Sequence, residues 1–107
     1  MGESIAEYFA WEGARVAVVD IQEHQGKQVA DRINHSGNQS IFSHCDVTQG
    51  EQVCDSIAQT VDQFEGLQII INCAGIVHVG MLHEYAEADW DRLMGVNLKS
   101  ILSLIHI

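Results

Sequence analysis

The chain contains no proline, and only 5 of its 107 residues are lysine or arginine. Without proline, the residue that most firmly interrupts helices and central strands is missing, which suits helices joined by short connections. The scarcity of basic residues excludes more. With 15 acidic side chains the formal net charge is -10. A chain so acidic has no general attraction for a phosphate backbone, so no nucleic-acid partner is expected. Long apolar runs are also lacking. None approaches the roughly twenty residues needed to cross a bilayer, and no membrane partner is expected. The opening Met1-Gly2-Glu3-Ser4 has neither the basic nor the apolar region of a secretory signal. Ala6 stands where myristoylation of Gly2 would call for Ser or Thr. The cysteines, Cys45, Cys54 and Cys73, form no Cys-x-x-Cys pair. An odd set of thiols in an acidic chain is expected to stay reduced, in the cytoplasm.

What is present is an ordinary apolar share of 47%, enough for one domain at most. The most telling stretch is Leu67 to Gly75, Leu-Gln-Ile-Ile-Ile-Asn-Cys-Ala-Gly. Three consecutive isoleucines, Ile69 to Ile71, read as a strand buried on both faces of a parallel sheet. An amide, a thiol and two small residues, Asn72 to Gly75, follow where the strand should emerge. Ligands of open α/β sheets bind at that carboxyl rim, and small residues there let a flat ligand approach the backbone.

The remaining elements alternate. Helical spacing of Ile5, Ala6, Phe9 and Ala10 predicts a helix over Glu3–Glu12, stopped by Gly13. Arg15–Asp20 reads as a buried strand and Gln22–His35 as a helix with Gly26, Val29, Ala30 and Ile33 on one face. Ser40–Cys45 has strand character. Thr48 with Glu51 forms a capping box for a helix whose buried stripe is Val53, Ile57, Val61 and Phe64, ending at Gly66. Ile76–Tyr85 is a loop. A last helix starts near Ala86, with Trp90, Leu93, Met94 and Ile101 inward. The order α-β-α-β-α-β-α predicts an α/β fold, a doubly wound parallel sheet with helices on both faces.

Several polar residues sit where chemistry is done. Asp20 ends a strand about twenty residues after Gly2, the place where dinucleotide-binding folds put an acid on the adenosine ribose. It would accept from both hydroxyls and repel a 2′-phosphate, favouring NAD over NADP. Equally, it could cap the next helix, with Glu23 three residues on. Asp46 ends the next strand and could accept from an adenine amino group while Val47 covers the ring; a plain turn aspartate is the alternative. Asn97 falls on the apolar stripe of the last helix, where a buried amide must be paired, either structurally or within a site. His78 and His83 match no ligand spacing, and no metal site is expected. Cys45 and Cys73, near strand ends with nothing basic beside them, read as buried inert thiols.

Taken together, Gly2, Asp20, Asp46-Val47, Asn72-Cys73-Ala74-Gly75 and Val96-Asn97-Leu98 resemble, in register, the marks of the short-chain dehydrogenase/reductase family. The resemblance runs from Gly2 to about Ser100. It implies a Rossmann-like fold and an NAD(P)-dependent oxidoreductase that moves hydride between the nicotinamide C4 and an alcohol or carbonyl carbon. By that resemblance Gly2, Asp20, Ile21, Asp46, Val47, Asn72, Cys73, Ala74, Gly75 and Val96 contact the cofactor. Asn97 matches the catalytic Asn, which acts partly through its backbone where the helix ladder is disturbed. The family's Asn-Asn-Ala-Gly has Cys73 as its second member here, which removes an amide but not a backbone contact. The substrate is expected to be a small alcohol or ketone, and the full-length protein a homo-oligomer paired through the last helix and the next.

The family's first strand, two earlier glycines, Ser and Tyr-x-x-x-Lys pair are not found. Neither Tyr8 nor Tyr85 has a lysine four residues on. The chain is therefore expected to be a partial NAD(P)-binding domain, residues 1–107, with the first strand and C-terminal half missing. Its last residues, Leu102–Ile107, read as an in-frame translation of a transposon adapter, so 101–107 is expected to be a non-native tail. Two other readings compete: a fragment of an S-adenosylmethionine-dependent methyltransferase, whose second and third strands also end in acids, and a non-catalytic nucleotide-binding module.

Overall fold

A computed structural model describes residues 1–105; His106 and Ile107, the end of the expected tail, lie outside the described residues. Helix α1 (Gly2–Trp11) leads through Gly13, whose φ of 95° lies in the left-handed region that a β-carbon disfavours, into strand β1 (Val16–Asp20). Helix α2 (Glu23–His35) then crosses to strand β2 (Ser40–His44). The strands pair in parallel, with Val16 opposite Ser40 and Asp20 opposite His44. Parallel strands need such a crossover, and it sets both carboxyl ends on one edge.

Side chains alternate across the strands, so each face of the sheet takes its own helices. On one face Ala10 of α1 packs with Val29 and Ile33 of α2, and Ala6, Val16 and Val18 close around them. Gly26 lets α2 lie on the ring of Phe42, which a β-carbon at that position would strike. Asn34 ties the end of α2 to β2, accepting from the Ser40 N–H at 2.7 Å and donating to its carbonyl at 3.2 Å.

The other face of β2 carries helix α3 (Gly50–Phe64). Here the expected stripe is corrected. Val61 is 42% exposed, whereas Ser56 and Thr60 are buried beside Val53 and Phe64. The hydroxyls explain the rotation: Ser56 pairs with Ser43 of β2 at 2.7 Å, and Thr60 donates back to the Ser56 carbonyl at 2.8 Å. A polar pair that satisfies itself can occupy a core position. The expected capping box is absent as well. Gln49 precedes the helix without a side-chain cap, and Thr48 is bound by Asp46 instead. The helix stop falls on Glu65, at φ 63°, one residue before Gly66.

The third expected strand is the largest correction. Leu67–Gly75 forms no ladder, and among the described residues the sheet consists of β1 and β2. Ile69, Ile70 and Ile71 are 63%, 45% and 45% exposed. A β-branched run prefers a pleated surface but becomes a strand only when a neighbour takes its amide hydrogen bonds; among the described residues none does. A single 3₁₀ turn, Leu82–Glu84, precedes helix α4 (Glu87–Met94). A π-helical segment, Gly95–Lys99, joins α4 to helix α5 (Ser100–Ile105). Trp90, expected inward, is 47% exposed.

Candidate functional site

The sheet's carboxyl edge gathers the candidate residues. At the tip of β1, Asp20 turns its Oδ1 back to accept the Gln22 N–H at 2.9 Å. Glu23 pairs with Lys27 rather than reaching back to form a cap. The two tips are joined where the Cys45 N–H donates to the Asp20 carbonyl at 3.1 Å. Ile21, next to Asp20, is 56% exposed on this edge.

At the tip of β2, Asp46 makes a tight turn. Its Oδ1 accepts from the Thr48 hydroxyl at 2.7 Å and the Thr48 N–H at 2.9 Å. The hydroxyl, and after it the N–H, hold this carboxyl below the usual carboxylate range. From α3, Gln52 accepts the Asp46 N–H at 2.7 Å and fixes the turn. Val47 is half-buried beside it. Cys45 is buried as expected, and burial pushes its thiol above the ordinary range. Cys73 departs from expectation: it is exposed.

Three close approaches carry this edge onward. The Thr48 methyl lies 3.9 Å from the position of a β-carbon on Gly95, so the β2 turn sits against the π segment. A β-carbon on Gly75 would stand 3.4 Å from Asn97 Oδ1. One on Gly2 would stand 3.3 Å from Cys73 Cβ. Asn72 and Ala74, exposed, flank Cys73. Because α1 packs against β1 and enters it through a turn, its first residues face the same edge. The Gly2, Glu3 and Ser4 N–H groups precede the first bond of this helix, from the Ile5 N–H to the Met1 carbonyl at 3.2 Å. Such N–H groups make a helix start attractive to anions.

Asn97 was expected on a buried stripe; it is exposed, yet both ends of its amide are paired. Oδ1 accepts the Ile76 N–H at 2.8 Å and Nδ2 donates to the Ile76 carbonyl at 2.9 Å, a two-point clamp. A side chain that mimics a strand partner in this way satisfies backbone that no ladder serves. The clamp fixes the chain just past Gly75 against the π segment, a kind of irregularity common at functional sites. Val96 is half-buried, and its carbonyl accepts from Ser100 Oγ at 2.6 Å. The sequence signalled Asn97 by its position among apolar residues, but not the partner, 21 positions away.

Contacts thus link the Asp20 tip to Cys45, Thr48 to the π segment, Asn97 to Gly75 and Ile76, and Cys73 to Gly2. Sequence reasoning did not pick out Gln52 and read Thr48 as a helix cap, whereas both shape the Asp46 turn. His78 lies 3.7 Å from Asp89 and His83 3.6 Å from Glu84, and among the described residues no cluster with metal-ligand spacing is found.

The chain matches the short chain dehydrogenase family over residues 1–107, and it belongs to that family. It is 39% identical, over 92% of its length, to an uncharacterized oxidoreductase of Thermotoga maritima, of which it covers 39%. It is 35% identical to a 3-alpha-(or 20-beta)-hydroxysteroid dehydrogenase of Mycobacterium tuberculosis, over 94% of this chain and 38% of that one. Among solved structures, a Serratia marcescens short-chain dehydrogenase/reductase mutant superposes with a TM-score of 0.92 at 27% identity, covering 98% of this chain and 43% of that one. A Mycobacterium avium short chain dehydrogenase gives 0.89 at 30% identity, with coverages of 94% and 39%. The chain therefore spans about two fifths of the length of the relatives it matches. Its parallel sheet with flanking helices is part of their Rossmann fold. The methyltransferase alternative finds no support among these relatives.

Proposed function

We propose that this chain is the adenosine-binding portion of an NAD-dependent dehydrogenase whose whole protein moves hydride between the cofactor and a small alcohol or ketone. The observation that carries the reading is the continuous edge joining Asp20, Asp46, Gly75 and Asn97. The residues present fit the adenosine half of the cofactor. Asp20 keeps Oδ2 for ribose hydroxyls, and its charge disfavours a 2′-phosphate. Asp46, held ionised by Thr48, would offer an acceptor to an adenine amino group, and Val47 would cover the ring. The start of α1 faces the same edge with unbonded N–H groups for a phosphate. Bound there, the cofactor would supply the hydride or accept it.

Asn97 has the role of holding the reaction end in place. With its side chain clamped on Ile76, its contribution to a proton relay is assigned to its backbone, in the widened turn of the π segment. The proton-transferring Tyr and Lys and the substrate-orienting Ser of the family are assigned to sequence outside these 107 residues. No turnover is expected from the chain alone. Pairing of the full-length protein through its late helices is consistent with the exposed Trp90 and Leu98.

The test is a chimera. Gly2–Ser100 replaces the matching segment of the Mycobacterium tuberculosis hydroxysteroid dehydrogenase. The chimera is expected to oxidise that enzyme's substrate with NAD, and Asp20→Ala is expected to raise the KM for NAD by about tenfold, the loss of a charge-assisted pair. A folded chimera that binds no NAD, or an Asp20→Ala change without effect on KM, overturns the reading.

A further inference from the structure

The edge described above leaves one cavity unexplained. It lies beyond the Asn97 clamp, between the start of the loop and α4, has a volume of about 270 Å³, and is lined by Ile76, Val77, His78, Asp89 and Arg92. Its walls are pinned. The Tyr85 ring meets His78 edge-on at 4.7 Å, its hydroxyl donates to the His78 carbonyl at 3.4 Å, and Trp90 of α4 meets Tyr85 edge-on at 6.4 Å. Ile76 is fixed from behind by Asn97. The loop is thereby stacked onto α4 with a gap left open beneath it.

The charges lining the gap are not equivalent. Asp89 is engaged by His78, whose Nε2 lies 3.7 Å from Oδ2. Arg92, one turn along the same helix, has no carboxylate within 4 Å among the described residues. A guanidinium is a planar fork that matches a carboxylate in two-point contact. Ile76, half-buried, and Val77, 88% exposed, supply aliphatic surface at the same gap. An unengaged cation at one side and apolar surface at the other complement a compact molecule with an acidic end and an apolar body.

We propose that this cavity binds a small carboxylic acid, with Arg92 as the anchor of its carboxylate and Ile76 and Val77 against its apolar part. The site does not depend on the cofactor reading, because none of the residues assigned to the adenosine edge lines it. If that reading also holds, the cavity adjoins the Asn97 clamp, and the acid belongs to the substrate class of the whole protein.

The experiment uses the chain itself, labelled with ¹⁵N and titrated with benzoate, and separately with benzamide, its neutral counterpart. Benzoate is expected to shift the amides of Ile76 to His78 and of Asp89 to Arg92 saturably, and benzamide is not. Arg92→Gln should weaken benzoate binding by about tenfold, the cost of losing a charged two-point contact. Asp89→Asn, which removes a repelling carboxylate, should strengthen it a few-fold. Both positions are on the helix surface, and unchanged shifts from the Gly75 and Ser100 amides, on either side of the Asn97 clamp, certify that each variant keeps the local fold. Equal response to benzamide, or undiminished benzoate affinity in Arg92→Gln, overturns the proposal. A parallel titration with adenosine, read at Asp20 and Val47, reports on the cofactor edge alone, so either reading can fail without the other.

Discussion

Residues up to Phe64 and those after it are built on different terms. In the first part, helices on both faces of β1 and β2 enclose apolar and self-satisfied polar groups. After Phe64, Ser100 is the one buried position among the described residues. The second part is held by point contacts instead: the Asn97 clamp on Ile76, the approach of Thr48 to Gly95, and the aromatic stack of His78, Tyr85 and Trp90. The shape follows, with extents of 51 × 25 × 21 Å. A parallel strand pair with its crossover helix can close a core by itself, whereas an apolar run without a ladder partner cannot, however strong its β-propensity.

The comparison breaks most readily in the first part. Ile33 is 2% exposed, at the centre of the cluster with Ala10 and Val29. Ile33→Ala removes buried methyl groups and leaves a cavity, so it should cost about 2–5 kcal/mol by urea unfolding. Next comes Asn97→Ala, which leaves the Ile76 N–H and carbonyl without partners. Hydrogen exchange should quicken at Ile76 and nearby amides by about tenfold, while Val29 and Ile33 amides stay protected, since the lost bonds lie outside the core. Were both regions to respond together, the contrast between them would be false.

These two sites also mark what the sequence could and could not reveal. The first part was legible because its signals are local: a period of about 3.6 in α1 and α2 and apolar runs ending in an acid at Asp20 and Asp46 each declare themselves within a short window. The candidate edge was legible for the same reason, since each tip carries its own acid or small residue. What escaped involves partners far apart in the chain. Ser56 and Thr60 displace Val61 from the core only because Ser43 waits on β2. Asn97 is satisfied while exposed because Ile76 needs it. The run Ile69–Ile71 has every strand propensity, yet pairing is a property of neighbours, not of the run.

The smallest expected effect concerns the β2 turn, where the two parts touch. The folded state holds the Asp46 carboxyl below its ordinary value. A depressed folded-state pKa contributes stability above the unfolded value, near pH ~3.9, and that contribution is lost as pH falls through the folded value. Thr48→Val keeps the N–H and removes the hydroxyl, the larger cause. By carboxyl NMR titration Asp46 should then ionise at higher pH, and the acid limb of the stability curve should move up slightly. An unmoved titration would show that the hydroxyl does not govern this turn.

The widened turn at Gly95–Lys99 has an architectural consequence of its own. It accommodates an extra residue without a break in the helical rod, so the azimuth of the described residues after it is set back by about 100° relative to an unbroken α-helix of the same sequence. Length, not only identity, is therefore encoded there. Excising a single residue between Gly95 and Lys99 would return the rod to a plain helix with α5 still facing α3. Exchanges that kept the count but let the stretch wind as a plain α-helix would swing α5 around its axis, away from α3.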